Sequence, residues 1–260
     1  MKTTPDMPRA EEVKPYDAHE EKGAQVEQMF DSIAPAYDFM NNAMTFGLHR
    51  YWRNRALRML DAQMPPHSPS KPLMLLDVAC GTGDVTFHLQ RLYGSGARIE
   101  GIDLSGGMLA VARQRLERMP REVQESITFT EGDCLALPYA DNTFDAITVA
   151  YGVRNFADLP AGYAEIHRVL RPGGSLCVIE LCEPSGALMR AGYRIYSRRL
   201  IPLVGRLVSG DRSAYTYLPQ SIAACPQREA MTKLMTDAGF HKATYTTLFP
   251  GAIAIYLARK

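Results

Sequence analysis

"LLDVACGTGDVTFHL", residues 75–89, runs from an apolar stretch through a glycine turn into an amphipathic segment, the strand–turn–helix layout of a nucleotide site. The turn fits neither common phosphate-binding pattern. A dinucleotide fingerprint needs three glycines, and here Gly81 and Gly83 are followed by Thr86 where the third would stand. The phosphate loop of ATPases needs a lysine, and this turn has none. Two carboxylates, Asp77 and Asp84, flank it instead and discourage a phosphate by like-charge repulsion. A nucleoside without phosphate and with positive charge suits such a loop, and S-adenosylmethionine, with its sulfonium and α-ammonium groups, meets that description.

Working outward, strands and helices alternate. "LMLLDVA" reads as a buried parallel strand and "DVTFHLQRLY" as a helix ended by Gly94. "RIEGIDL" is a second strand, and Ser105 is placed to cap the helix "SGGMLAVARQRLERM". "ITFTEGD" and "FDAITVAYG" follow as strands, then the helix "LPAGYAEIHRVL", the turn "RPGG" and the strand "SLCVIEL". "REAMTKLMTDAGF" is a last helix, and a hairpin turns around Pro250-Gly251. This predicts a doubly wound α/β fold with a seven-stranded, mostly parallel sheet and an antiparallel C-terminal hairpin strand. Residues 1–24, rich in Pro, Lys and Glu, read as a disordered N-terminus. Residues 25–260 read as one domain, with a helical cover over 25–60, broken at Pro35 and Gly47, and an insert over 183–225 that interrupts the alternation.

Composition narrows the function. At 260 residues and 46% hydrophobic, the chain can bury one core. A net charge of +1, without a basic stripe, gives no footprint for nucleic acid. The five cysteines form no Cys-x-x-Cys pair and the six histidines do not cluster with them, so no metal site and a reducing, cytoplasmic location are expected. The N-terminus lacks the apolar run of a signal peptide, and no stretch reaches the length of a membrane span.

Ligands of such sheets lie at the carboxyl ends of the strands. Asp103, at the end of the second strand, is placed to accept from both ribose hydroxyls; a helix-capping role is the alternative. Asp133, after the third strand, can accept from the adenine amino group, with the Cys134 backbone N–H as a donor. Thr82, between Gly81 and Gly83, can face the cofactor, and Asp77 lies beneath them; Cys80 reads as packing.

The turn, Asp103 and Asp133 in that order, with "LRPGG" before the fifth strand, resemble the class I S-adenosylmethionine-dependent methyltransferases. "MFDSIAPAYDFMNNAMTFGLHRYWR" (29–53), "LPYADNTFDAITVAYGVRNFAD" (137–158), "IHRVLRPGG" (166–174) and "SAYTYLPQSI" (213–222) resemble more narrowly the ubiquinone/menaquinone biosynthesis C-methyltransferases, over residues 26–258. That resemblance implies methyl transfer to a ring carbon of a polyprenylated quinol such as demethylmenaquinol. It carries the cofactor positions onto Thr82, Asp103, Asp133 and Cys134. Two positions depart from the pattern: Ala150 stands where a serine is common, leaving only a backbone contact, and "IELCEP" replaces an expected Phe-Ser after the glutamate.

The acceptor chemistry asks for modest electrostatics. Ionising a phenol of pKa about 10 at pH 7 costs roughly 4 kcal/mol, and holding the reactants in line contributes about 7–11 kcal/mol. Arg154, in "YGVRN" after the fourth strand, can stabilise a phenolate or orient a water, and Asn155 can bond that water or a ring oxygen. Tyr37 on the cover can share the proton, and His49 is a neutral base nearby. Each has a structural alternative: a surface ion pair for Arg154, a turn for Asn155, packing for the other two. In the insert, Met189, Tyr193, Tyr196 and Leu200 share one helical face and Arg190, Arg194 and Arg198 another, which fits a peripheral membrane helix on the inner face of the cell membrane, a lid, or a homodimer contact. A methyltransferase of a soluble small molecule and a non-catalytic cofactor-binding scaffold stay open as alternatives.

Overall fold

Leu73–Val78 forms β1, with Leu73 and Leu75 entering one apolar layer and Leu76 and Val78 the other. A strand apolar on both faces belongs in the middle of a parallel sheet. The structure, a computed structural model, describes residues 9–64, 71–186, 189–190, 192–193 and 212–260. The further strands are β2 (Ala97–Asp103), β3 (Ile127–Glu131), β4 (Phe144–Ala150), β5 (Leu170–Leu181), β6 (His241–Leu248) and β7 (Ile253–Arg259). They lie in the order β3-β2-β1-β4-β5-β7-β6; β1 to β5 are parallel, and β7 runs antiparallel to both β5 and β6. The order reverses between β1 and β4, and at this switch point the crossovers to either side leave a crevice. The predicted seven-stranded sheet and its antiparallel hairpin strand are what the structure shows.

The cover comprises α1 (Lys22–Ile33), α2 (Tyr37–Thr45) and α3 (Leu48–Asp61). Phe46 (φ +50°) and Gly47 (φ +75°) turn the chain between α2 and α3. α3 packs Trp52, Ala56, Leu57 and Leu60 onto one face of the sheet. The crossovers are α4 (Asp84–Tyr93), α5 (Gly106–Glu117), α6 (Arg121–Gln124) and α7 (Leu159–Val169). As predicted, Ser105 caps α5, its hydroxyl accepting from the Met108 N–H at 3.0 Å. α8 (Arg212–Ala224) and α9 (Glu229–Asp237) precede the hairpin.

Composition places residues 1–24 in a disordered terminus; from Arg9 onward the structure shows the opposite. The Gln25 side chain accepts from the Tyr16 and Asp17 N–H groups and donates to the Asp17 carbonyl. Lys22, 3% exposed, donates to the carbonyls of Ala10 (2.7 Å), Arg154 (3.0 Å) and Phe156 (3.0 Å). A lysine met by three carbonyls is a buried anchor, which a count of charged residues does not register. Burial pulls its pKa down to about 8, so desolvation cancels part of what the hydrogen bonds contribute. Lys22→Met is therefore expected to cost about 2–4 kcal/mol, less than three charge-assisted bonds taken at face value. Thermal melting checks this, and an unchanged Tm would rule out an anchoring role.

The basic amphipathic helix expected in the insert falls largely outside the described residues: Arg194, Tyr196, Arg198 and Leu200 are among those not covered. Arg190 is covered, and its guanidinium donates to the Pro184 and Ser185 carbonyls. Among the described residues no helix is long and apolar enough to cross a membrane.

Candidate active site

The glycine turn after β1 is built by backbone geometry that other residues resist. Gly83 has φ +83°, and a Cβ there would come within 2.9 Å of the Phe87 and Phe129 rings. Gly81 has φ +55°, and a Cβ there would meet no atom within 4 Å, because the residue borders an open cavity. Asp103 fixes this turn to the end of β2: Oδ2 accepts from the Gly81 N–H at 2.7 Å and Oδ1 from the Ser105 N–H at 2.9 Å. Each oxygen keeps a second lone-pair direction for a ligand hydroxyl. Burial pushes the Asp103 pKa up, against the pull of those backbone donors.

A first cavity runs along the ends of β1, β2, β3 and β4. Gly81, Asp103, Asp133, Cys134 and Ala150 all border it, so the structure brings together five of the predicted cofactor positions. Its charged lining is Glu27, Asp103 and Asp133, with no lysine or arginine. That donor set suits a nucleoside with a cationic tail and opposes a phosphate, so S-adenosylmethionine fits the residues present. Asp133 is exposed, and its Oδ1 accepts from the Leu135 N–H at 2.9 Å.

Thr82 and Asp77 face other partners. The Thr82 hydroxyl donates to Asp38 on α2 at 2.7 Å, joining the glycine turn to the cover. Arg115 reinforces the joint, reaching the Thr82 carbonyl (2.8 Å), Asp84 (2.8 Å) and Asp38 (3.3 Å), while Arg53 holds Asp84 from α3. A second joint lies beside it: Asp31 of α1 accepts from the Ser105 hydroxyl (2.6 Å) and the Gly107 N–H (2.8 Å) at the start of α5. Asp77, 1% exposed, accepts from the Thr86 and Thr148 hydroxyls at 2.7 and 2.8 Å.

Burial raises the Asp77 pKa to about 6, with the two threonine bonds opposing. A carboxylate raised on folding contributes stability below its unfolded pKa and loses it as the pH rises through 6. Asp77 lies outside the first cavity's lining, and a cofactor cation reaching beside it would favour the charged form and reverse that cost. Cofactor affinity is therefore expected to rise between pH 5 and pH 7, with proton release on binding near pH 6, and Asp77→Asn should flatten the profile. Calorimetry in buffers of different ionisation enthalpy measures the release; a profile unchanged by the substitution would put Asp77 outside the cofactor's reach.

A second cavity, about 450 Å³, opens between the cover, the glycine turn, the start of the insert, α8 and the hairpin tip. Its walls are mostly apolar, with Met29, Ile33, Met40, Met44, Trp52 and Leu218 among them. The two cavities share Phe30, Tyr37, Ala79, Gly81, Ala150, Tyr151 and Asn155, so they meet at the switch point.

All four predicted catalytic residues border this second cavity. Arg154 is 6% exposed, so the surface ion pair is excluded; it pairs with the buried Glu180 of β5 at 2.8 Å and also donates to the Tyr151 carbonyl. The Asn155 carbonyl oxygen accepts from the Tyr217 hydroxyl at 3.1 Å. Tyr37 stacks edge-on against Phe30, and burial raises its pKa. His49 Nδ1 lies 2.7 Å from the Thr45 hydroxyl, whose proton goes to the Asn41 carbonyl. This assigns the tautomer: Nδ1–H donates to Thr45 and Nε2 keeps its lone pair. Burial and Arg53 lower the His49 pKa, leaving the ring neutral at pH 7. At the departures in β5, Leu181 lines the cavity, and Cys182 turns its thiol to the Gly251 carbonyl.

Asp31, Asp38, Arg53, Arg115 and Glu180 carry the site without having been singled out in the sequence. Glu180 had a signal: a lone acid inside the apolar run "SLCVIEL" must be paired when buried. The other four had none, because their partners lie tens of residues away.

A switch-point crevice with a small acidic cavity on one side and a larger, mostly apolar one on the other fits a class I methyltransferase. A solved structure from Thermotoga maritima, described as an S-adenosylmethionine-dependent methyltransferase and possible histamine N-methyltransferase, shares the fold with a TM-score of 0.59; the match covers 90% of this chain and 99% of that one at 19% identity. The chain belongs to the ubiE/COQ5 methyltransferase family, whose sequence profile matches residues 17–260. It is 41% identical over 254 residues to the demethylmenaquinone methyltransferase of Porphyromonas gingivalis, covering 98% of this chain and all of that one. It is 35% identical over 241 residues to the ubiquinone/menaquinone biosynthesis C-methyltransferase UbiE of Shewanella frigidimarina, covering 93% and 92% of the two chains.

Proposed function

We propose that the protein transfers a methyl group from S-adenosylmethionine to a ring carbon of a polyprenylated quinol, converting demethylmenaquinol to menaquinol. The observation that carries this reading is the large, mostly apolar cavity that meets the acidic pocket and carries Arg154, paired with the buried Glu180, on its wall. The cofactor, when bound, supplies an electrophilic methyl group on a sulfonium. Asp103 and Asp133 hold its nucleoside end, and Ala150 offers only backbone. Arg154 faces the ring oxygen and favours its ionised form. His49, with Nε2 free, accepts the hydroxyl proton, and Tyr37 closes over the ring. The ring carbon takes the methyl group and releases its own proton to solvent, and the proton held on His49 returns to the oxygen, restoring the aromatic quinol.

The test is the quinone pool of a deletion strain, which should accumulate a quinone lacking one ring methyl and recover on complementation. An unchanged pool would refute the reading. A purified enzyme that methylates soluble phenols as well as tailed quinols would favour the small-molecule alternative.

A polyprenylated substrate lives in lipid, so the partner in this reading includes a membrane surface. Phe46 (81% exposed), Leu48 and Met189 line the acceptor cavity yet face solvent, and Phe249 (79% exposed) precedes Pro250 on the same wall. The Trp52 indole N–H donates to the Phe249 carbonyl at 3.0 Å, tying the hairpin tip to α3. This apolar rim dips into the bilayer at the mouth through which the tail passes. Sedimentation with neutral vesicles at high salt is expected to retain the wild type, and Phe46→Ser with Phe249→Ser to weaken binding about tenfold or more, since each buried phenylalanine contributes about 1.5–3 kcal/mol. Binding that disappears with salt instead would assign the contact to the basic residues of the insert.

A further inference from the structure

The buried hydroxyl of Tyr151 and the buried Nε of Arg154 have no partner among the described residues, and both residues line the acceptor cavity. Unpaired buried donors are uncommon in folded proteins, and the residues that carry these two, like Arg53 with its own unpartnered Nε, line one cavity, which calls for a ligand. They come from a single turn after β4. Tyr151 adopts φ +61°, a left-handed conformation that a bulky residue rarely takes. The turn is held in place from both sides: the Tyr151 N–H donates to the Ile179 carbonyl at 2.7 Å, and the Tyr151 carbonyl accepts from Arg154 and, at 3.4 Å, from the Asn155 amide. Gly152 follows because a Cβ there would come within 2.6 Å of the Ala79 side chain, so this turn is pressed against the end of β1.

We propose that Tyr151 Oη and Arg154 Nε act as a pair of donors that hold the ionised ring oxygen of the acceptor. The proposal rests on the quinol reading above and adds Tyr151 as a catalytic residue that directly touches substrate. Both groups are suited to donate. Arg154 has no acceptor atom. Tyr151 keeps its proton at neutral pH, because burial raises its pKa and Glu180 raises it further, ahead of the opposing Arg53 and Arg154. Around it stand Glu180 from β5, Arg53 from α3, Tyr37 from α2 and Arg154 of its own turn. A hydroxyl that stays protonated cannot be the base. It can stabilise an oxyanion from a mostly apolar wall.

The test uses the full-length protein saturated with S-adenosylhomocysteine and the probe 4-nitro-1-naphthol, whose phenolate absorbs in the visible. Wild type is expected to bind the probe with its pKa lowered from the value in water. In Tyr151→Phe the bound probe's pKa should move back by about one unit, and turnover on demethylmenaquinol at saturating cofactor should fall roughly tenfold or more. Fluorotyrosine at position 151, which keeps the ring and acidifies the hydroxyl, should move the bound probe's pKa the opposite way, and it serves if the phenylalanine variant folds poorly. Equal probe titrations in wild type, Tyr151→Phe and the fluorotyrosine protein would overturn the proposal. A wild type that ionises the probe but leaves demethylmenaquinol unmethylated would instead refute the substrate reading and leave the donor pair standing.

Discussion

Asp103→Ala is expected to weaken S-adenosylmethionine binding by about 10²–10⁴, the largest loss from any single change in the cofactor half. Two ribose hydroxyls lose a shared charged acceptor, at about 1.5–3 kcal/mol each. The structure adds a second loss. Asp103 also accepts from the Gly81 and Ser105 N–H groups, so the variant loosens the glycine turn and the start of α5 together. Asp103→Asn keeps one carbonyl oxygen for one of those donors and should bind better than the alanine variant. Calorimetry on both, with circular dichroism to confirm folding, makes the comparison. Wild-type affinity in a folded Asp103→Ala protein would reduce this residue to a helix-capping role.

Removing Arg154 should stop the chemistry and weaken the fold at once. Its guanidinium is the cation beside Glu180, which is 1% exposed and is left, among the described residues, with the Arg154 and Leu181 N–H donors. Breaking one side of a buried pair costs about 3–5 kcal/mol. Turnover should fall by about 10²–10³, the range for losing an oxyanion donor. Cofactor affinity should hold, since Arg154 does not border the cofactor cavity. The two effects separate in a double variant: Arg154→Met with Glu180→Met should regain most of the stability, because an apolar pair often replaces a buried ion pair without loss, while turnover stays low. Full kcat in either variant would remove Arg154 from the reaction.

The sheet was legible because its signal is local. Apolar runs of strand length between glycine and capping residues announce β1 to β5, and a functional acid at a strand's end needs only that end to be located. Asp103 and Asp133 were placed at the mouth of the first cavity this way. Arg154 was found by the same logic, but its depth was not: whether a charged residue after a strand faces water or a buried glutamate depends on the neighbouring strand. The segment from Arg9 to Ala24 was misread for a related reason. Its composition is that of a solvated tail, yet Lys22 finds carbonyls more than 130 positions away. Asp31 and Asp38 belong to the same group, since their partners at Ser105, Gly107 and Thr82 share no spacing with them that a helical or strand period would reveal.

The strand made last is not the strand at the margin. β7 lies between β5 and β6, with Ile253, Ala254, Ile255 and Ala258 fully enclosed. During synthesis from the N-terminus, β1 to β5 can pair before residues 253–259 have left the ribosome, while one side of β5 still presents a row of unsatisfied N–H and C=O groups. The nascent chain thus passes through a stage in which the buried half of β5, Leu176–Ile179, is open to foreign partners, the condition under which chaperone capture competes with aggregation. Closure of that edge waits for β7, which follows the other six strands in chain order.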